Sequence, residues 1–346
     1  MNIYVGAARW TGGTLGGVFR QTAGSDSWER LDRGLPEPIQ VQAITVHPRH
    51  SQIVYLGATE GLYRSEDAGA HWQRLGIPRD LQIWSVLVHP GNPRVLYAGT
   101  SPPGVLRSDD DGDTWRYHRI ASHPERVRMS FACRVMRLAA DPAYPEHVYA
   151  ALEVGGVMRS LDAGETWTDC AAELVVLAER RPHLRSRIQS ENDAEGMLDA
   201  HALCVSAARP RTVFLALRMG VFCSADEGAS WEDLEVGRFA PFAYARDVRV
   251  SPHDPQVLFA CLSPASRSED GALYRSDDLG ITWTRIDRGI RATATMMAVV
   301  LDPHDPAGIY CASRCGQVFA TRNRGESWEE SRLPDGVQDV YAIACA

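Results

Sequence analysis

Asp199 and His201 stand two positions apart at the head of the apolar run Ala200–Val205. On a strand, positions two apart share a face. A carboxylate beside an imidazole is then an acid–base pair, able to take or give a proton at the remaining ring nitrogen. The same pair could begin a metal site. The competing reading is a buried histidine bonded to a neighbouring segment. No ligand spacing continues the pair, and the eight cysteines include no C-x-x-C. No cofactor is therefore predicted, and a divalent ion has no support from spacing.

A second group is basic and aromatic. Arg134, Arg218, Arg246 and Arg314 carry guanidinium forks that match a carboxylate or phosphate. Trp84 and Trp10 would line the same ligand. Glu60 and Glu153 offer the second carboxyl group that glycosidic chemistry requires. Salt bridging between these arginines and the acids near them is the competing reading. The residues lie far apart in the chain, so a shared site depends on the elements that carry them.

Those elements are set by a repeat. SEDAGAHW at Ser65–Trp72 returns as SDDDGDTW at Ser108–Trp115, SLDAGETW at Ser160–Trp167 and SADEGASW at Ser224–Trp231. It returns again as SDDLGITW at Ser276–Trp283 and TRNRGESW at Thr321–Trp328, with a worn copy ending at Trp28. The closing tryptophans are separated by 44, 43, 52, 64, 52 and 45 residues. A period of this size marks an array of identical supersecondary units. Each unit holds four short β-branched and aromatic runs punctuated by Gly, Pro and Asp, as in Val41–His47, Ile53–Gly57, Leu62–Ser65 and Trp72–Leu75. Four strands in each of seven units predict an all-β, seven-bladed β-propeller, with residues 1–346 as one domain. MNIYVGA aligns with a second strand and DVYAIACA with an innermost first strand. The C-terminal strand should therefore complete the N-terminal blade and remove the open edges.

Within the motif, Asp67, Asp110, Asp162, Asp226 and Asp278 are read as turn staples. Their carboxylates accept N–H groups of their own turn. The glycine takes φ > 0, and the tryptophan buries its ring against the blade.

These motifs resemble the Asp-box, or BNR, repeats of the sialidase-like propeller superfamily, along essentially the whole chain. The resemblance implies the fold. It implies less about activity, because glycosidases, sorting receptors and photosystem assembly factors share the repeat. Sialidases of that superfamily carry an Arg-Ile-Pro element near the start. Gly16–Thr22, GGVFRQT, lacks its proline and isoleucine, so true sialidase activity is not expected.

Propeller connectivity puts the Asp-box turns on one face, the bottom. The links between second and third strands, and from each blade to the next, lie on the other. That top face gathers Gln42, Trp84, Arg134, Arg137, Asp199, His201, Arg246, Asp247, Asp339 and Tyr341 from the inner strands. It also carries the two irregular links. Residues 170–199 read as a helical insertion broken at Pro182, and His118–Ala132 forms a second long link around the same blade. Such loops are commonly lids or docking elements. The four histidines His47, His89, His253 and His304 fall in bottom turns.

With 36 basic against 44 acidic residues the chain carries a formal charge of -8, which gives no reason to expect nucleic-acid binding. No apolar stretch reaches membrane-spanning length. The N-terminus runs straight into a strand, and the cysteines sit in strand cores as small hydrophobes. Both features lead to the expectation of a cytoplasmic protein. The expected function is a hydrolase or lyase, glycosidase-like, acting on a small anionic substrate or acidic saccharide at the central mouth under the 170–199 insertion. The alternative is a non-catalytic protein-binding or assembly scaffold, which would use the insertion for a partner or a second copy.

Overall fold

The structure is a computed structural model, and it describes residues 1–9, 15–22, 24–120 and 129–346. Seven antiparallel four-stranded sheets form the ring. From inner to outer strand, blade 1 is Val340–Cys345, Asn2–Ala7, Gly17–Thr22 and Glu29–Arg30. The inner strands of blades 2 to 7 are Val41–His47, Gln82–Val88, Arg134–Ala140, Ala200–Val205, Tyr244–Val250 and Met296–Leu301. Each touches the inner strands of both neighbouring blades, so the ring is closed.

Blade 1 is the closure. Ile3 pairs with Cys345, Tyr4 with Ala344 and Val5 with Ile343, as the alignment of the two ends predicts. The apolar core lies between the blades: Leu56, Val54 and Trp72 of blade 2, for example, pack with Tyr4 and Ala344 of blade 1.

The turn of the repeated motif shows why its residues recur. In blade 4, Asp162 Oδ1 accepts the Thr166 N–H at 2.8 Å, and Oδ2 accepts the Thr166 hydroxyl at 2.6 Å. Ser160 Oγ accepts the Gly164 N–H at 2.7 Å. Ala163 and Gly164 both take positive φ, which a one-step reversal of this kind demands. These bonds, the Thr166 hydroxyl first, lower the Asp162 pKa to about 2. The turn also does something the motif does not reveal. Its Ala163 carbonyl accepts Tyr97 Oη at 2.9 Å and Arg107 Nη1 at 2.8 Å, both from blade 3. Ala68 is used in the same way by Tyr4 and Arg20 of blade 1. The motif therefore fastens one blade to the next as well as folding its own turn.

The insertion is helical at Ala172–Arg180, turns through a 3-10 segment at Pro182–Leu184, and ends in a short helix at Glu195–Leu198. Pro182 divides it as expected. Leu174, Ala178, Leu184, Ala194 and Met197 bury themselves against Tyr149 and Val157 of blade 4 and Leu217 and Trp231 of blade 5. Glu195 is fully buried and organises the loop between the helices, accepting N–H groups from Ile188, Gln189 at 2.8 Å and Ser190 at 2.9 Å.

Candidate functional site

The upper channel is shaped by one backbone event repeated seven times. Near its start every inner strand slips register against its neighbour, leaving one residue unpaired. In blade 5, for instance, Ala200 pairs with Leu217 but Ala202 with Ala216, and His201 is the residue skipped. A β-bulge of this type re-aims a side chain. The seven skipped residues are Tyr341, Gln42, Trp84, Met136, His201, Arg246 and Met297, and all seven line one cavity on the axis. They form a collar. The free volume left is about 30 Å³, room for about one water molecule.

His201 is 3% exposed. Its Nδ1 lies 2.7 Å from the Ala245 carbonyl oxygen, which can only accept, so Nδ1 carries the proton. Nε2 then faces the Tyr244 hydroxyl at 3.2 Å and Asp199 Oδ1 at 3.5 Å. Asp199 Oδ2 accepts Arg218 Nε at 3.0 Å. Burial works against the Asp199 charge, but His201 and then Arg218 outweigh it, and the carboxyl pKa falls to about 2. Asp199 is thus a fixed anion that can steady an imidazolium, not a proton donor. Burial raises the Tyr244 phenol well above the ordinary range.

The four arginines divide. Arg134 Nη1 meets Glu153 Oε2 at 2.8 Å, Arg218 meets Asp199, and Arg314 Nε meets Asp339 Oδ1 at 3.0 Å. The salt-bridged reading therefore holds for three of them. Arg134 also covers the Trp84 ring, 4.0 Å from its centroid, and Trp84 meets Tyr341 edge-on at 6.1 Å. Arg246 differs. It is 9% exposed, its guanidinium lies 5.5 Å from the Tyr341 ring centroid, and no carboxylate of a described residue pairs with it. Burial opposes its charge, yet Tyr244, Tyr341, Glu153 and Asp199 around it raise its pKa. Gln42, also on the collar and 5% exposed, has both side-chain amide atoms without a protein partner.

The remaining candidates are placed as follows. Glu60 accepts the Thr59 hydroxyl at 2.7 Å and the Gln40 N–H at 3.0 Å, so both its oxygens are engaged locally. Trp10 lies outside the described residues, as does most of the His118–Ala132 link. Arg137 and Asp247 lie below the collar, where Asp247 accepts from Arg137 Nη2 and from Arg249 Nε, each at 3.2 Å.

A second depression lies off the axis. His183, Leu184 and Ser186 of the insertion, Arg218, Met219, Tyr244 and the turn Glu235–Arg238 enclose about 570 Å³. Its mouth is tied by His183 Nε2, 3.3 Å from Asp233 Oδ2. Tyr244 and Arg218 belong both to this groove and to the His201 cluster. Among the described residues no group of three or more His, Cys, Asp or Glu side chains is placed to hold a metal ion. No helix among the described residues is long and apolar enough to cross a membrane.

No family model matches the chain. The xyloglucanase Xgh74A of Acetivibrio thermocellus is 23% identical over 264 residues, which is 65% of this chain. The chain spans only 29% of the length of that curated relative. Among solved structures, the GH74 xyloglucanase from Xanthomonas campestris superposes with a TM-score of 0.64 at 19% identity, over 98% of this chain and 52% of that one. YCF48 bound to D1 peptide superposes with a TM-score of 0.56 at 15% identity, over 86% of this chain and 82% of that one. At such identities the likeness establishes the fold, a seven-bladed propeller similar to those of glycoside hydrolases and of YCF48. The Asp-box, sialidase-like assignment stays a resemblance of motifs.

Proposed function

We propose that this chain is a glycosidase-like propeller that takes the carboxylate of an anionic ligand, an acidic saccharide or small carboxylate, against the top of the collar, whose own free space of about 30 Å³ leaves the rest of the ligand in the mouth above it. The observation that carries this reading is Arg246, a nearly buried guanidinium that no carboxylate of a described residue pairs with, on the same collar as the unpaired amide of Gln42. Glu153 and Asp199 favour the Arg246 charge from a distance, and a ligand carboxylate would add the direct counter-charge that no described carboxylate gives it. A carboxylate would receive two N–H bonds from one guanidinium face.

In this reading His201 handles the proton. Its Nε2 accepts from Tyr244, and the Asp199 anion stabilises the ring once it is protonated. Arg218 keeps Asp199 in place and is a positioning residue. Arg134 with Glu153, and Arg314 with Asp339, shape the mouth. Glu60 is a structural acceptor rather than the second carboxyl group. The chain contains no lysine, so no side-chain amine can form a Schiff base.

A scaffold role is the second reading, favoured by the 570 Å³ groove beside the insertion, which would admit an extended peptide from a partner protein. YCF48, a propeller of the same fold, is seen with a peptide bound. Thermal shift with uronic acids, sialic acid and small carboxylates, on wild type and Arg246→Ala, separates the two when paired with turnover of aryl glycosides. A ligand-specific rise in Tm that Arg246→Ala abolishes, with turnover that His201→Asn abolishes, supports the enzyme. A rise without turnover leaves a binding protein, and no rise with any anion sinks the anion site.

A further inference from the structure

The channel has two ends, and the lower is the roomier. Below the collar, Arg137, Asp247 and Arg249 cross the axis as a girdle. Arg137 and Arg249 line both the small upper cavity and a funnel of about 490 Å³ that opens on the bottom face. The funnel walls are mixed: Val46, Val88, Leu138, Val300, Leu301 and Ile343 form apolar strips, with Thr45, His47, Arg49, Ser51 and His304 beside them. Prolines 48, 90, 252 and 303 stiffen its rim.

The girdle is unbalanced. Asp247 is wholly buried, and its four acceptor positions are taken by Arg137, Arg249 and the backbone N–H groups of Val248 and Val299. One negative charge thus meets two guanidinium groups. Those guanidiniums are still 28% and 33% exposed as side chains, and Arg137 Nε is buried without an acceptor. Burial, followed by the charge of Arg249, lowers the Arg137 pKa to about 10. The floor of the funnel is short of one anion, and its walls are short of apolar cover.

We infer that the funnel is a second ligand site, for a monocarboxylate with an apolar body. The carboxylate would take the free N–H donors of Arg137 and Arg249, and the body would lie along the valine and leucine walls. Both parts are needed. The hydrocarbon supplies the burial, while the head group completes the charge of a low-dielectric floor and accepts charge-assisted bonds. This site faces away from Arg246 and His201 and does not depend on the function proposed for them.

Calorimetric titration with octanoate and with octan-1-ol, which share a tail and differ in charge, tests the inference. Saturable octanoate binding is expected, with octan-1-ol weaker by roughly tenfold or more. Arg249→Met, which leaves Asp247 paired with Arg137, should weaken octanoate by a similar factor and leave octan-1-ol little changed. Leu301→Trp, which fills the funnel without touching a charge, should remove both. Equal affinity for acid and alcohol, octanoate binding that survives both Arg249→Met and Leu301→Trp, or no saturable octanoate binding at all would overturn it.

Discussion

Asp199 Oδ2 accepts a hydrogen bond from Arg218 Nε at 3.0 Å, and the backbone N–H of Arg218 donates to the Asp199 carbonyl at 3.1 Å. The two residues are thus clamped twice, and the carboxylate is held as an anion. The Asp199 pKa in the folded chain, about 2, lies below the roughly 3.9 of an unfolded chain. The unfolded state therefore binds the proton more readily. The stability this residue contributes is present above about pH 4 and is lost as pH falls towards 2. Asp199→Asn should lower Tm at pH 7, because Arg218 loses its counter-charge. It should also flatten the acid limb of stability by close to one proton. Urea unfolding at a series of pH values between neutrality and 2 reads both effects.

The carboxylates of the repeated turn should tolerate amidation better than deletion. The last repeat already holds Asn323, whose Oδ1 accepts the Ser327 N–H at 3.0 Å and whose Nδ2 donates to Ser327 Oγ at 2.8 Å. Asp162→Asn can copy that pattern and should cost less than about 1 kcal/mol. Asp162→Ala strands the Thr166 N–H and should cost about 1–2 kcal/mol. Denaturant midpoints of the two variants measure the difference, and equal losses would mean that charge rather than geometry holds the turn.

Arg246→Ala should still fold, with a Tm somewhat below that of wild type in buffer without anions, because Tyr244, Tyr341, Glu153 and Asp199 favour the guanidinium charge despite its burial. Arg246→Lys should keep the charge but lose the fork, and so bind carboxylates more weakly than wild type. Melting curves with and without ligand decide this.

Glu195→Ala should loosen the insertion without opening the ring. Three N–H donors, of Ile188, Gln189 and Ser190, would lose their acceptor, a local cost of about 2–4 kcal/mol. Hydrogen exchange should quicken across residues 186–196 and stay slow in the blades, whose ladders do not depend on this carboxylate.

Much of this molecule is legible from residues alone. The repeat tryptophans number the blades and IYVGA against VYLGA exposes the closure. Asp199 and His201 do approach to 3.5 Å, but not as strand neighbours: Asp199 precedes the strand and His201 sits on its bulge. The Arg134–Glu153 pair was also within reach. Arg134 opens an inner strand and Glu153 closes the next, so antiparallel register puts them directly opposite. The bulges were not within reach. They shift backbone hydrogen bonds at Gln42, Trp84 or Met136 with no glycine or proline to mark them, so no composition signal records them. The groove at Met219 and Val236 was hidden for another reason. It is bounded by segments far apart in sequence, and nothing in either run shows how far apart they settle.

The sevenfold slip has a consequence for how such a channel can change. Each blade delivers one side chain to the axis from an equivalent backbone position, and that residue takes no part in the ladder pairing beside it. The lining can therefore be rewritten one position at a time while the scaffold is left alone. Polarity at Gln42, charge at Arg246 and bulk at Trp84 are independent dials on one aperture. A diversified set built at only these seven positions would explore pore chemistry without renegotiating the fold.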